Sequence, residues 1–171
     1  VHDISIDPNN PGTIWIAEEH YILVSYDDGQ NWYYWSFLLD EGRFCYSIAV
    51  DPHDKTGGTV YVGTGGPAGT DEYGEIYKTT DGGSNWEPWG FSTDSEYVRF
   101  NFWDIKIHPA NPGEIWVANR ASYLSPQGRI YMSPDDGGTW WYWTAALYGD
   151  EYELAESLGY LDEVIISPSD P

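Results

Sequence analysis

Basic residues are scarce in this chain of 171 residues: 7 Lys and Arg stand against 28 Asp and Glu, a formal net charge of −21. A polyanion of that density repels phosphate backbones and anionic lipid headgroups, which argues against nucleic acid and membrane surfaces as partners. It suits a cation-rich or extracellular setting, where salt and divalent ions relieve the self-repulsion, and it also confers solubility. Cysteine is nearly missing. With Cys45 alone, no internal disulfide and no cysteine-based metal site can form. The one methionine is Met132, and position 1 is Val. No secretory leader is recognisable and no apolar run is long enough to cross a bilayer as a helix, so the chain reads as processed or excised. A helical hydrophobic period is missing too; one short turn of helix around Tyr152 to Leu158 is the most that fits.

What is plentiful is aromatic and apolar. Hydrophobic residues make up 41% and aromatics 18% of the chain, enough to build a core despite the charge. They are organised by a repeat. Ser25-Tyr26-Asp27-Asp28-Gly29-Gln30-Asn31-Trp32 returns as Thr79-Thr80-Asp81-Gly82-Gly83-Ser84-Asn85-Trp86, and again as Ser133-Pro134-Asp135-Asp136-Gly137-Gly138-Thr139-Trp140. The aspartates at 27, 81 and 135 are evenly spaced. Each copy reads as a turn. The Ser or Thr hydroxyl and the Asp carboxylate cap backbone N–H groups, Gly29, Gly83 and Gly137 supply the positive φ of a hairpin turn, and the Trp starts the next strand with a large buried ring. The motif residues are therefore read as structural rather than catalytic.

The flanks repeat as well. Ile4 and Ile6 precede Asp7-Pro8, Ile48 and Val50 precede Asp51-Pro52, and Ile105 and Ile107 precede His108-Pro109. Second strands follow at Ile14-Trp15-Ile16, Val60-Tyr61-Val62 and Ile115-Trp116-Val117, and third strands enter the motif at Ile22, Ile76 and Ile130. Fourth strands leave it through Trp32 to Trp35, Trp86 to Trp89 and Trp140 to Trp143. Four short strands per unit, punctuated by turns, predict an all-β chain of β-propeller blades with four antiparallel strands each. The blades run over about 1–40, 44–92 and 101–148, with 161–171 as the first strand of a further blade, so that 1–171 forms one partial propeller. Rings of this kind usually need about four blades or more. The chain is then a fragment of a longer one, or copies associate to complete the ring, or the blades stack openly.

The three motif copies resemble the BNR or Asp-box repeat proteins, among them sialidases, xyloglucan-cleaving glycoside hydrolases, sortilin-type receptors and the photosystem II assembly propeller. The phrases Ile6-Asp7-Pro8-Asn9-Asn10-Pro11-Gly12 and Ile76-Tyr77-Lys78-Thr79-Thr80-Asp81-Gly82-Gly83 are most similar to large secreted bacterial BNR proteins and the xyloglucanase group. The resemblance implies the fold, but that fold hosts enzymes and binding modules alike. Sialidases clamp a carboxylate with three arginines; only Arg43, Arg99, Arg120 and Arg129 exist here, without the Arg-Ile-Pro entry motif. The xyloglucanase catalytic Asp lies in a Thr-Asp-Val-Gly-Gly context, where this chain has Ala17-Glu18-Glu19-His20. The arginine-rich patch of the photosystem propeller has no counterpart.

In such a propeller the motif turns and the Pro-containing turns share one end, and their lengths are nearly constant. The opposite end carries connections of very different length, which is where function sits on a rigid scaffold. Its carboxylates Glu19, Asp71 and Glu72 are the candidates for a glycoside-hydrolase acid and base, although solvated loop carboxylates are commoner. Tyr73, Trp103, Arg120 and Tyr123 are the candidates for ligand contact. The oxygen-rich run Gly69-Thr70-Asp71-Glu72 admits Ca²⁺ but matches no known loop spacing, so no cofactor is expected and metal binding stays open. His2, His20, His53 and His108 show no metal spacing, and Gly63-Thr64-Gly65-Gly66 has no following helix to make a phosphate loop.

The expectation is a non-catalytic module, extracellular, on the cell surface or periplasmic, that binds a protein or glycan partner or acts as a scaffold. Further blades of the same chain are alternative partners, as is a homo-oligomer if the chain is complete. The competing expectation is one wall of a secreted glycoside hydrolase acting on a β-glucan such as xyloglucan.

Overall fold

The computed structural model describes residues 1–36, 43–66, 74–90, 101–120, 129–144 and 165–166. The predicted helical turn near Tyr152, and Asp71, Glu72, Tyr73 and Tyr123, lie outside the described residues. Twelve strands occur: β1 (Asp3–Ile6), β2 (Ile14–Ala17), β3 (Ile22–Ser25), β4 (Tyr33–Trp35), β5 (Phe44–Val50), β6 (Val60–Gly65), β7 (Ile76–Thr79), β8 (Glu87–Trp89), β9 (Asn101–Ile107), β10 (Ile115–Arg120), β11 (Arg129–Ser133) and β12 (Trp141–Thr144). They form three four-stranded sheets in plain sequence order, β1 to β4, β5 to β8 and β9 to β12. Every described pairing is antiparallel. The fold class is thus the one expected, all-β with blade-like units.

The sheets stack face to face. Strands β1, β5 and β9 lie side by side on the inside of the stack. From the first sheet, Trp15, Ala17, Ile22 and Val24 pack against Cys45, Ile48, Val50, Val60, Val62 and Tyr77 of the second. From the other face of the second sheet, Ala49, Tyr61 and Ile76 meet Phe102, Ile105, Ile115, Val117 and Tyr131 of the third. The face of a sheet toward the next sheet in sequence is here its trailing face, and the one toward the preceding sheet its leading face. This stacking explains why sequence alternation weakens in the middle. The second sheet is covered on both faces, so β5 and β6 are buried almost end to end, whereas β2 in the first sheet alternates.

Polar groups tie neighbouring sheets together at their inner edge, where unpaired backbone groups would otherwise face the axis. Asp3 Oδ2 accepts from the Ile48 N–H at 2.9 Å, Ser5 Oγ accepts from the Val50 N–H at 3.1 Å, and Ser47 Oγ donates to the Phe102 carbonyl at 3.1 Å. Further out, the Tyr61 hydroxyl donates to Asp136 Oδ1 at 2.6 Å while Lys78 Nζ donates to Asp136 Oδ2 at 2.6 Å. Burial and that carboxylate push the Tyr61 phenol well above its ordinary pKa.

Gly63 sits where β6 of the second sheet meets the third. A Cβ there would lie 2.3 Å from Ser47 Oγ and 2.7 Å from the Phe102 carbonyl oxygen. The backbone contact cannot yield without moving a sheet. Gly63→Ala is therefore expected to lower stability by ~1–3 kcal/mol, seen as a lower urea midpoint with an unchanged m-value.

Candidate functional site

Two ends of the stack differ in construction. At the lower end each motif turn is closed by the same bonds. Ser25 Oγ accepts from the N–H of Gly29 at 2.9 Å and of Asp27 at 3.3 Å, and donates to Asp27 Oδ1 at 2.9 Å. Thr79 and Ser133 do the same with Gly83 and Asp81, and with Gly137 and Asp135. The carboxylate then reaches forward: Asp27 Oδ1 takes the Asn31 N–H at 2.8 Å and Oδ2 takes its side-chain amide at 2.6 Å. Asp81 holds Asn85 in the same way, and Asp135 holds Thr139. All three carboxyls sit below the ordinary Asp value, held there by the Asn31 side chain, the Asn85 side chain and the Thr139 N–H respectively. Glycine is only half of the turn requirement. Asp28 (φ 57°) and Asp136 (φ 53°) are left-handed beside Gly29 (82°) and Gly137 (84°), as Gly82 (71°) is beside Gly83 (91°). Two successive positive φ values fit a type I′ turn, here Asp27 to Gln30 within the longer loop between β3 and β4, and Asp and Gly are the residues that tolerate them.

The motif tryptophans do not share one environment. Trp86 meets Trp15 edge-on at 6.3 Å and Trp140 meets Trp89 at 5.6 Å, each against the preceding sheet. Trp32 has no preceding sheet among the described residues; it stays 41% exposed and donates Nε1–H to its own turn at the Gly29 carbonyl. The Pro-containing turns share this end. His108 Nδ1 accepts from the N–H groups of Ala110 and Asn111, doing what Asp7 Oδ1 does for Asn9 and Asp51 Oδ1 for His53. Asp54 braces the longest of these turns. Burial opposes its ionisation, but bonds from Thr56 and Thr59 outweigh it and bring the pKa down to about 2.

The upper end is less regular. Both β5 and β9 are bulged there, at Tyr46 and at Trp103, which drop out of register with β6 and β10. A bulge re-aims its extra residue, and these two stack on one another with centroids 4.3 Å apart and planes 20° from parallel. His2 of the first sheet meets Tyr46 edge-on at 5.3 Å, so one ring from each sheet forms a row across the upper inner edge. Phe44 and His20 extend it sideways. Next to the row, Arg43 bonds Glu75 Oε2 at 2.6 Å, with the Tyr77 hydroxyl donating to the same oxygen at 3.0 Å. The guanidinium lies 5.8 Å from the Tyr77 ring centroid.

Of the sequence candidates, Trp103 falls inside this row. Glu19 is exposed at the upper end, its carbonyl accepting from the Cys45 N–H at 3.1 Å. Arg120 ends β10 at the same level, paired in register with Asn101. Asp71, Glu72, Tyr73 and Tyr123 lie outside the described residues, so neither their distances to Glu19 nor their contacts to Trp103 enter here. His2, Tyr46, Arg43 and Glu75 were missed. A signal for two of them was present: His2, Tyr46 and Trp103 each stand five residues before Asp7, Asp51 and His108, the turn residues of their units. Cys45 is buried, its thiol pushed up to about 12 by desolvation, which makes it inert packing. Among the described residues no three His, Cys, Asp or Glu come together to hold a metal ion, and no helix is long and apolar enough to cross a membrane.

No protein-family model and no curated protein matches the sequence. Solved structures do match in shape. The GH74 xyloglucanase from Xanthomonas campestris superimposes with a TM-score of 0.62 at 18% identity, over 83% of this chain and 21% of that one. YCF48 bound to a D1 peptide gives 0.56 at 18% identity, over 82% of this chain and 39% of that one. An ancestral GH74 enzyme gives 0.59 at 18% identity, over 82% and 18%. The fold is that of β-propeller blades. The chain spans well under half the length of each of these neighbours, and likeness at such identity speaks to fold and not to chemistry.

Two outcomes are expected at the lower end. Replacing Thr79 by Ala strands two N–H groups and the Asp81 carboxylate and costs about 1–3 kcal/mol, while Thr79→Ser restores most of it; urea unfolding of both variants checks this. Acidification is the second. A carboxyl whose folded pKa is depressed contributes stability above its unfolded value, and loses it as pH falls through the folded value. For Asp54 that window runs from about 3.9 down to about 2, and the motif aspartates act in the same sense. Asp3, raised mainly by burial, works in the opposite sense. The melting temperature should fall between pH 4 and pH 2, and fall less steeply in Asp54→Asn.

Proposed function

We propose that this chain is a non-catalytic propeller module, extracellular or on a cell surface, whose upper end binds a protein or glycan partner. In this proposal the motif turns are Asp boxes in the family sense and 1–171 is one partial propeller, with 161–171 opening a further blade. The observation that carries it is the row His2, Tyr46 and Trp103, set by two matched bulges beside the Arg43–Glu75 pair. Tyr46 is buried and its hydroxyl donates to the Gly66 carbonyl at 3.0 Å, so a partner would meet the row through the exposed His2 and the half-buried Trp103. A cleft carboxylate meant for glycoside hydrolysis needs a second carboxyl across the sugar. Glu75 instead has its charge met by Arg43, and Glu19 stands in solvent. That a propeller of this shape can take a peptide is supported by the YCF48 neighbour bound to a D1 peptide.

A second proposal keeps the enzyme alternative, because two GH74 enzymes share the fold. There the chain supplies one wall of a β-glucan cleft, with Glu19, Asp71 or Glu72 as acid or base, and Arg120, Tyr73 and Tyr123 as subsite contacts. One pair of assays separates the two. Incubated with xyloglucan, a binding module releases no reducing sugar. Titrated with xyloglucan oligosaccharides and with a peptide library, its tryptophan fluorescence reports binding that Trp103→Ala weakens at least about tenfold. Release of reducing sugar that disappears in Glu19→Gln, Asp71→Asn or Glu72→Gln would overturn the non-catalytic proposal.

A further inference from the structure

Where the turns of the first two sheets meet at the lower end, they leave a groove of about 740 Å³ between them. Asn10, Thr13 and Tyr26 line it from the first sheet, and Thr56, Thr80 and Gly82 from the second. At the second junction three side chains meet in the corresponding place. There Tyr61 and Lys78, on the trailing face of the second sheet, each bond the Asp136 carboxylate at 2.6 Å. The first junction has Trp15 and Val24 at the positions of that tyrosine and lysine, and Gly82 at the position of the aspartate. A Cβ built on Gly82 would meet no atom within 4 Å. The first junction thus keeps the apolar contact but lacks the polar plug, and a hydrophilic groove stays open.

The walls of the groove define what fits it. Tyr26 is 51% exposed, and its hydroxyl donates to the Gly82 carbonyl at 3.2 Å, which fixes the ring across the junction. Tyr33 of β4, 57% exposed, stands beside it with ring centroids 5.9 Å apart and extends the aromatic surface outward. The remaining wall is the Asn10 amide and the Thr13, Thr56 and Thr80 hydroxyls. The carboxylates here are engaged already. Asp7 takes the Asn9 N–H and the Asn10 amide, and Asp81 takes both donors of Asn85. An exposed ring of fixed orientation beside amides and hydroxyls suits a sugar, whose C–H face stacks while its hydroxyls bond the polar wall. The net charge of −21 disfavours an anionic sugar. We propose that this groove binds a neutral oligosaccharide, with Tyr26 as the stacking platform and Tyr33 as its continuation. The site lies at the end opposite to the His2–Tyr46–Trp103 row and does not depend on it.

The test is isothermal titration calorimetry of the 171-residue chain with cello-, manno-, malto- and chito-oligosaccharides. The wild type should bind at least one of them, and Tyr26→Ala should weaken that binding at least about tenfold. Tyr26→Phe keeps the ring and should stay within about threefold of the wild type. Gly82→Asp places a side chain in the groove without straining the turn, since Asp28 and Asp136 hold the same motif position at φ 57° and 53°. It should also weaken binding at least about tenfold. Circular dichroism checks that each variant is folded, and Gly82→Asp carries the test if Tyr26→Ala is not. A wild type that binds none of the four probes overturns the proposal. So does binding lost in Tyr26→Ala but kept in Gly82→Asp, which assigns the sugar to the exposed rings and not to the groove. Binding that Trp103→Ala abolishes and both lower-end variants leave intact overturns it too, while the upper-end reading stands.

Discussion

A four-stranded sheet of strands three to seven residues long gains little stability alone in water, and here the sheets bury their apolar faces against one another. Face-to-face burial is the constraint on which everything else here depends. It sets the twofold alternation in β2, removes it in β5 and β6, and selects glycine at position 63, where two sheets come too close for a Cβ. It also explains why aromatic residues are so abundant. The interior between sheets is filled by Trp15 and Tyr61 at matched positions, with Trp86 and Trp140 wedged edge-on against the sheet before them.

Hydrogen bonds and charges serve this packing. The hydroxyl of each motif accepts two backbone N–H groups and donates its O–H to the carboxylate, so a tight turn is closed from both sides, and in the second and third motifs it presents its Trp to the preceding sheet. The net charge of −21 opposes the compact state through self-repulsion. The carboxylates at turns act in its favour, since each accepts several donors in the folded state. The second junction contains a lysine between two rings, where Lys78 lies 5.0 Å from the Tyr61 centroid and pairs with Asp136. The first has no such group: Gly82 stands where the third motif has Asp136, and Tyr26 reaches its carbonyl instead. Equivalent junctions are thus held by different chemistry around the same apolar contact.

The candidate binding row illustrates how far local pattern reaches. Trp103 was legible because it departs from the repeat tryptophans. Tyr46 and His2 share the five-residue offset of Trp103 from the turn residue, but a tyrosine and a histidine there look like ordinary strand residues until bulges at Tyr46 and Trp103 bring the rings into line. The Arg43–Glu75 pair joins residues on β-strand ends that are remote in sequence, and no spacing rule announces it.

By itself the sequence determined the strands, their order, the turns between them and the all-β class. Those depend on interactions within a few residues: alternation along a strand, positive φ at Asp-Gly and Gly-Gly, a hydroxyl two positions from its carboxylate. Only the tertiary structure decided which of two apolar faces is covered, which tryptophan is left in solvent and which rings meet at the upper end. Those depend on how one sheet lies on the next, a relation between residues some forty to sixty apart in the chain, and the repeat makes every copy look alike until its neighbour is in place.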